Sequence, residues 1–282
     1  MPKLSNRVDH FTDSVIRRMT RIANAYGAIN LSQGFPDFAP PKEILDALAN
    51  ITYNGSSHQY TITYGSYNLR SALARKHGKA INRVIDPDKE VVITCGGTEA
   101  MMCAMMTVCN PGDKVIIFSP FYENYMADTI LSGANPIYIP LNPSDYSFDR
   151  QVLEDAFKQN VKAIVICNPS NPSGKVFARE ELEFIGKLAL KYDAYVITDE
   201  VYEHIIYEPY QHVHMAGIPG MYDITITCSS LSKTYSITGW RLGYLIGPEK
   251  VIENAKKVHD FLTICAPAPL QEAACVGVNF DE

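Results

Sequence analysis

The chain has 282 residues, 46% of them hydrophobic and 20% charged, with a net charge of −6 at neutral pH. That length suffices for about two domains and for a core that buries roughly 75% of the extended surface. An acidic balance without a basic stripe excludes nucleic acid as an expected partner, and no apolar stretch approaches the ~18 residues of a membrane span. Residues 1–20 read polar and charged, without the apolar centre of a secretory leader. The seven cysteines form no C-x-x-C pair and mostly lie in apolar runs. Buried, reduced thiols in a cytoplasmic protein are the expectation.

No element is assigned ahead of Val91, and no repeat or Gly/Ser linker divides the chain. From there, strand-like runs at 91–94, 114–118, 136–139, 163–167, 194–198, 224–228 and 242–246 alternate with helical patterns at 98–109, 122–132, 149–159, 178–192 and 248–261. Short β-rich runs separated by helices predict crossover units, hence a three-layer α/β/α domain with a mostly parallel sheet. The runs at 163–167 and 194–198 are the most uniformly apolar, as central strands require. Asp149 stands where a helix cap belongs, and Glu180 and Glu181 sit near the next helix's positive end. Met101, Met102, Met105 and Met106 read as core filling on a buried helix. Ligands of such sheets lie beyond the carboxyl ends of the strands, and the polar motifs fall at those ends.

The first motif, Cys95-Gly96-Gly97-Thr98-Glu99-Ala100, joins a strand to a helix. Such a junction aims free N–H groups and a positive dipole end at an anion, although two glycines also make an ordinary tight turn. Asn168-Pro169-Ser170-Asn171-Pro172-Ser173-Gly174 follows the run 163–167, as either a proline-rich turn or an amide offered to a ligand. Asp199 closes the run 194–198, where a carboxylate is costly to ionise without a cationic partner; a protonated pyridine nitrogen would be one. Tyr202 follows three positions later. In Ser230-Leu231-Ser232-Lys233-Thr234-Tyr235-Ser236-Ile237-Thr238-Gly239-Trp240-Arg241, one lysine lies among hydroxyls with an arginine eight positions on. The lysine can form a Schiff base while Ser230 and Arg241 hold a phosphate, so the set points to pyridoxal 5'-phosphate. His212-x-His214 lacks a third ligand or an acidic neighbour in motif spacing and reads as a loop.

Order and spacing carry more than any single motif: 28 residues separate Asn171 from Asp199, and 34 separate Asp199 from Lys233. From Ile29 to the C-terminus the chain resembles the fold-type I, class I/II pyridoxal-phosphate aminotransferases, near the kynurenine, glutamine, methionine and aspartate/aromatic subgroup. The N-P-x-N-P-x-G, D-E-x-Y and S-x-x-K-x-x-x-x-x-G-W-R patterns carry that resemblance. It implies that Lys233 holds the cofactor as a Schiff base, that Asp199 binds the pyridine nitrogen, and that Asn171 and Tyr202 contact the phenolic oxygen. Tyr122 matches the stacking aromatic ring. The backbone of Gly97 and Thr98, with Ser230 and Arg241, matches the phosphate site; Tyr60 matches a tyrosine serving the neighbouring subunit, and Gly34 a contact near the substrate carboxylate.

The same resemblance implies transfer of an amino group from an L-amino acid to a 2-oxo acid, catalysed through Lys233, Asp199 and Tyr202 in a homodimer with shared sites. Residues 1–45 are expected to form an N-terminal arm and part of a small domain, and residues 46–282 the cofactor-binding domain. The rest of the small domain, with its carboxylate-clamping arginine, has no counterpart in the sequence. A C–S β-lyase and a non-catalytic cofactor-binding module are the alternative readings.

Overall fold

The computed structural model of the chain describes residues 2–11, 13–55 and 57–280. Its centre is a seven-stranded sheet in the order β1-β7-β6-β5-β4-β2-β3. The strands are β1 (Val91–Thr94), β2 (Lys114–Ser119), β3 (Asn135–Pro140), β4 (Ala163–Cys167), β5 (Tyr195–Asp199), β6 (Thr225–Ser230) and β7 (Gly243–Ile246). Each coincides within a few residues with an expected run. β5 occupies the centre with β4 beside it, as their apolar sequences require. Only β7 runs against the rest, pairing antiparallel with both β1 and β6.

Alternating residues of the strands feed cores on opposite faces. Ile117, Val165, Ile197 and Leu245 pack beneath α4 (Gly97–Val108), α5 (Asn124–Leu131) and α8 (Glu249–Thr263). Ile116, Ile164, Ile166 and Val196 pack against α6 (Arg150–Phe157) and α7 (Arg179–Lys191) on the other face. A third cluster covers β1 and β7 with α2 (Lys42–Asn54), α3 (Tyr67–Ile81) and α9 (Ala268–Phe280). Burying each such Ile, Leu or Val contributes roughly 1.5–3 kcal/mol, so the helices are held mainly by the sheet they cover. The α/β/α layering expected from the sequence is therefore the observed one.

The helical starts follow the capping logic. Asp149 accepts hydrogen bonds from the N–H groups of Gln151 and Val152 at 2.7 and 3.1 Å, and Glu181 accepts from the N–H of Ala178 at 2.9 Å. Four helices lie outside the expected set: α1 (Val15–Ala25), α2, α3 and α9. α1 buries none of its residues, and α3 interrupts its apolar stripe with a buried Arg70 and His77. The expected division at residues 45 and 46 falls inside α2, which packs along α9. One expectation is corrected: on α4 only Met101 and Met105 are buried, whereas Met106 is 43% exposed. A helix lying on a sheet buries one face, and four methionines within six successive residues cannot all lie on it. The seven cysteines are free thiols, five of them buried. No described helix is long and apolar enough to cross a membrane.

Candidate active site

The carboxyl ends of β1, β4, β5 and β6 lie along one edge of the sheet, and the reversed β7 begins there. Thr94 and Ser230 both pair with Gly243, so the turn after β1, the end of β6 and the residue before β7 meet. Arg241 reaches this edge because the chain loops out after Ser230 and returns antiparallel. Its backbone is left-handed, φ +54°, and its Nη1 donates to the Thr238 carbonyl at 2.9 Å. The guanidinium lies against Gly96 where any side chain would begin: a Cβ there would collide with it. Gly96 also has φ +84°, which requires glycine, while a Cβ there would push the flexible Arg241 guanidinium out of its place. A Cβ on Gly243 would strike the backbone of Gly96 and Gly97.

Gly97 and Thr98 open α4, and the N–H groups of a helix's first turn have no intrahelical acceptor. Beside them, the Cβ position of Gly97 is 3.6 Å from the Cβ of Ser230. Ser230 is 4% exposed, and its Oγ accepts from the N–H of Ser232 at 3.1 Å, leaving the hydroxyl proton to donate. Helix N–H groups, a hydroxyl and a guanidinium thus surround one small volume, the donor set of a phosphate dianion.

Lys233 extends from the same loop, and its Nζ donates to the Gly34 carbonyl at 2.6 Å. The Nζ also lies 5.9 Å from the centre of the Tyr202 ring. Burial, with Arg241 close by, lowers its pKa from the ordinary lysine value, which favours the neutral amine. At the end of β5, the Asp199 carboxylate receives the Tyr125 hydroxyl at 2.6 Å and the Val201 N–H at 3.2 Å. Burial raises its pKa in spite of these two donors. Burial also pushes Tyr202 up to about 12, with Cys167 and Asp199 adding to the shift, so it is a neutral hydrogen-bond donor. Tyr122 follows β2 with its ring 5.8 Å from that of Tyr125, edge to face. Asn171 is half-buried in the loop after β4, its N–H donating to the Cys167 sulfur at 3.4 Å.

Asn171, Asp199, Tyr202, Ser230, Lys233, Arg241, Gly97, Thr98 and Tyr122 therefore all belong to strand ends, loops or helix starts on this edge. Gly34 joins them through its carbonyl. Tyr60 is 78% exposed, and no hydrogen bond ties it to the group among the described residues. Sequence reasoning passed over the bond between Tyr125 and Asp199, which joins residues 74 positions apart and leaves no local pattern to read. It also passed over the surroundings of His212-x-His214. Glu200 turns to the opposite side of the strand end from Asp199. There Glu200 Oε2 lies 3.0 Å from His212 Nε2 and 2.5 Å from His214 Nδ1. The acidic neighbour absent from the motif spacing is supplied by the fold.

Residues 26–282 match the family described as aminotransferase class I and II. The chain is 37% identical to kynurenine–oxoglutarate transaminase 3 of Rattus norvegicus, over 96% of this chain and 62% of that protein. It is 34% identical to a probable N-succinyldiaminopimelate aminotransferase of Mycobacterium tuberculosis, over 98% of this chain and 70% of the other. The solved N-succinyldiaminopimelate aminotransferase from Mycobacterium tuberculosis superposes with a TM-score of 0.95 at 33% identity, covering 100% of this chain and 73% of that one. An Escherichia coli protein with methionine aminotransferase function superposes at 0.92 and 30% identity, covering 99% and 72%. The chain thus spans less than two thirds of the length of the rat relative.

Proposed function

The chain belongs to the class I and II aminotransferase family, and from that premise we propose that it binds pyridoxal 5'-phosphate and transfers an amino group from an L-amino acid to a 2-oxo acid. The observation that carries this reading is the convergence of Asp199, Lys233, Ser230, Arg241 and the Gly96–Gly97 turn on one sheet edge. The residues fit the cofactor's chemistry. Gly96 leaves room for the Arg241 guanidinium where a Cβ would exclude it. Asp199 is a half-buried acid with two neutral donors and no cationic hydrogen-bond partner among the described residues, which a pyridinium N–H would provide. Gly97, Thr98, Ser230 and Arg241 hold the phosphate, Asp199 the ring nitrogen, Asn171 and Tyr202 the phenolic oxygen, and Tyr122 the face of the ring.

When bound, the cofactor supplies an aldehyde for Schiff-base chemistry and a ring that accepts the electron pair of a broken Cα–H bond. Lys233 does the proton work. Its lowered pKa leaves an amine able to take the substrate's α-proton onto Nζ and to return that proton to the neighbouring carbon, one base serving both transfers. The Gly34 carbonyl sets the direction of Nζ and belongs to the segment placed to meet the substrate carboxylate. Asp199 would keep the cofactor's ring nitrogen protonated, and Tyr202, a neutral donor, would hold the phenolic oxygen.

The protein acts as a homodimer with shared sites. Supporting this, Tyr60, Ile62, Phe261 and Ile264 are 78%, 53%, 90% and 51% exposed, on two segments joined by the Thr63–Asp260 hydrogen bond. Sedimentation should give twice the chain mass, and a monomer that binds the cofactor tightly would count against it. The functional test is the visible absorption of the protein with pyridoxal 5'-phosphate, before and after L-amino acids are added without acceptor. Conversion of the lysine-bound band to the pyridoxamine form is expected. A band that no donor changes would overturn transamination, and absence of any band would overturn cofactor binding.

A further inference from the structure

A buried acid that the reaction does not use sits directly behind the phosphate cradle. Glu99, at the third position of α4, is 9% exposed. Its Oε2 accepts the N–H of Cys95 at 2.5 Å, the peptide that begins the turn into Gly96 and Gly97. Its Oε1 lies 2.8 Å from His259 Nδ1 and accepts the Thr263 hydroxyl at 2.6 Å. His259 and Thr263 stand one turn apart on α8, and His259 is fully buried. Its other nitrogen, Nε2, lies 3.0 Å from the Thr63 carbonyl, which can only accept. Nδ1 also lies 3.2 Å from the Thr263 hydroxyl oxygen, so the three side chains form one closed cluster. Burial favours the neutral acid at Glu99, but the bonds from His259, Thr263 and Cys95 outweigh it and hold the pKa below the usual value.

We propose that Glu99 is a positioning residue for phosphate binding: with His259 and Thr263 as its buttress, it fixes the Cys95 peptide and so the turn that aims the Gly97 and Thr98 N–H groups. The inference rests on the reading of this edge as a pyridoxal-phosphate site. Gly96, in a backbone region that only glycine enters freely, has no side chain to hold itself there. Its neighbours must supply the constraint: the Arg241 guanidinium on one side and the Glu99 carboxylate behind. The network also reaches the Thr63 carbonyl, so the cradle is tied to the turn whose Tyr64 carbonyl accepts from the Ile93 N–H of β1 at 3.0 Å.

The test compares two ligands that differ only in the phosphate. Wild-type, Glu99→Ala and Glu99→Gln chains are titrated with pyridoxal 5'-phosphate and with pyridoxal, following the absorbance of the lysine-bound form. Glu99→Ala should weaken pyridoxal 5'-phosphate by about 10-fold or more, the effect of one lost charge-assisted bond, while pyridoxal changes less than about twofold. Glu99→Gln should recover most of the affinity, because its amide oxygen still accepts the Cys95 N–H and its NH₂ meets the Thr263 hydroxyl oxygen. Should Glu99→Ala not fold, His259→Gln and Thr263→Val each remove one bond to the same carboxylate and should lower the affinity ratio in the same direction. Equal losses for both ligands, or none for either, would overturn the inference while leaving the functional reading intact. A wild-type chain that takes up neither ligand would overturn both.

Discussion

Asp199 and Glu200 are neighbours at the end of one strand, yet the regions they face treat negative charge in opposite ways. Successive strand residues point to opposite faces. Asp199 meets Tyr125 and a backbone N–H, and burial raises its pKa. Glu200 meets His214, His212 and Thr198; burial pulls it upward too, but the two histidines hold it well below the usual range. Burial is common to both, so it cannot be what decides the charge state. The partner decides: two imidazoles satisfy Glu200 within the chain, whereas Asp199 is left needing a cation from outside it.

The comparison breaks most sharply at the reacting groups. Lys233→Ala should remove the covalent cofactor adduct entirely, read by mass spectrometry after borohydride reduction. Asp199→Ala should retain the adduct but slow transamination by about 10²–10³-fold, typical for a lost electrostatic partner; near-normal turnover would show that the ring nitrogen finds its proton elsewhere.

Glu200→Ala should act on the fold instead of the chemistry. Removing one member of a buried pair costs about 3–5 kcal/mol, read as a lower denaturant midpoint. Asp199→Asn, by contrast, should stabilise the cofactor-free chain at neutral pH by about 1 kcal/mol, since it removes a charge that burial penalises. If both variants shift the midpoint in the same direction, the contrast between the two faces is wrong.

A finer test lies on the histidine side. His77 packs edge to face on His214, ring centres 5.1 Å apart, and burial lowers its pKa to about 4. Its folded pKa is below the unfolded value of 6.5, so the unfolded chain binds more protons and stability falls as pH drops from about 6.5 to about 4. For His214, burial opposes the charge but Glu200 prevails and raises its pKa; its contribution is full below 6.5 and fades as pH rises through the folded value. His77→Phe should flatten the acid arm of the stability curve and leave the His214-linked loss on raising the pH in place. The smallest effect is a control outside both regions: Asp149→Ala should cost about 1 kcal/mol through its helix cap.

The seven strands, five of the helices and the family-bearing motifs were legible because their signals are local. Apolar runs, caps and glycine turns are imposed by neighbouring residues. The stretch before Val91 was harder to read for the opposite reason. α1 carries an apolar stripe of Val15, Met19 and Ile22 but buries none of its residues within the chain, and the buried Arg70 on α3 is explained by partners outside the helix, among them the Gly65 carbonyl, Asp88 and the Tyr64 ring.

By itself, the sequence determined the sheet, the edge on which chemistry could gather, and the identity of Lys233, Asp199 and Arg241 as the residues to watch. Only the tertiary structure decided that β7 runs backward, bringing Arg241 against Gly96, that Tyr125 binds Asp199, and that Glu99, His259 and Thr63 form one chain of hydrogen bonds. The reason is physical. A hydrogen bond between residues 74 or 160 positions apart leaves no periodic trace in either segment, because the fold and not the local chain brings the partners within 3 Å.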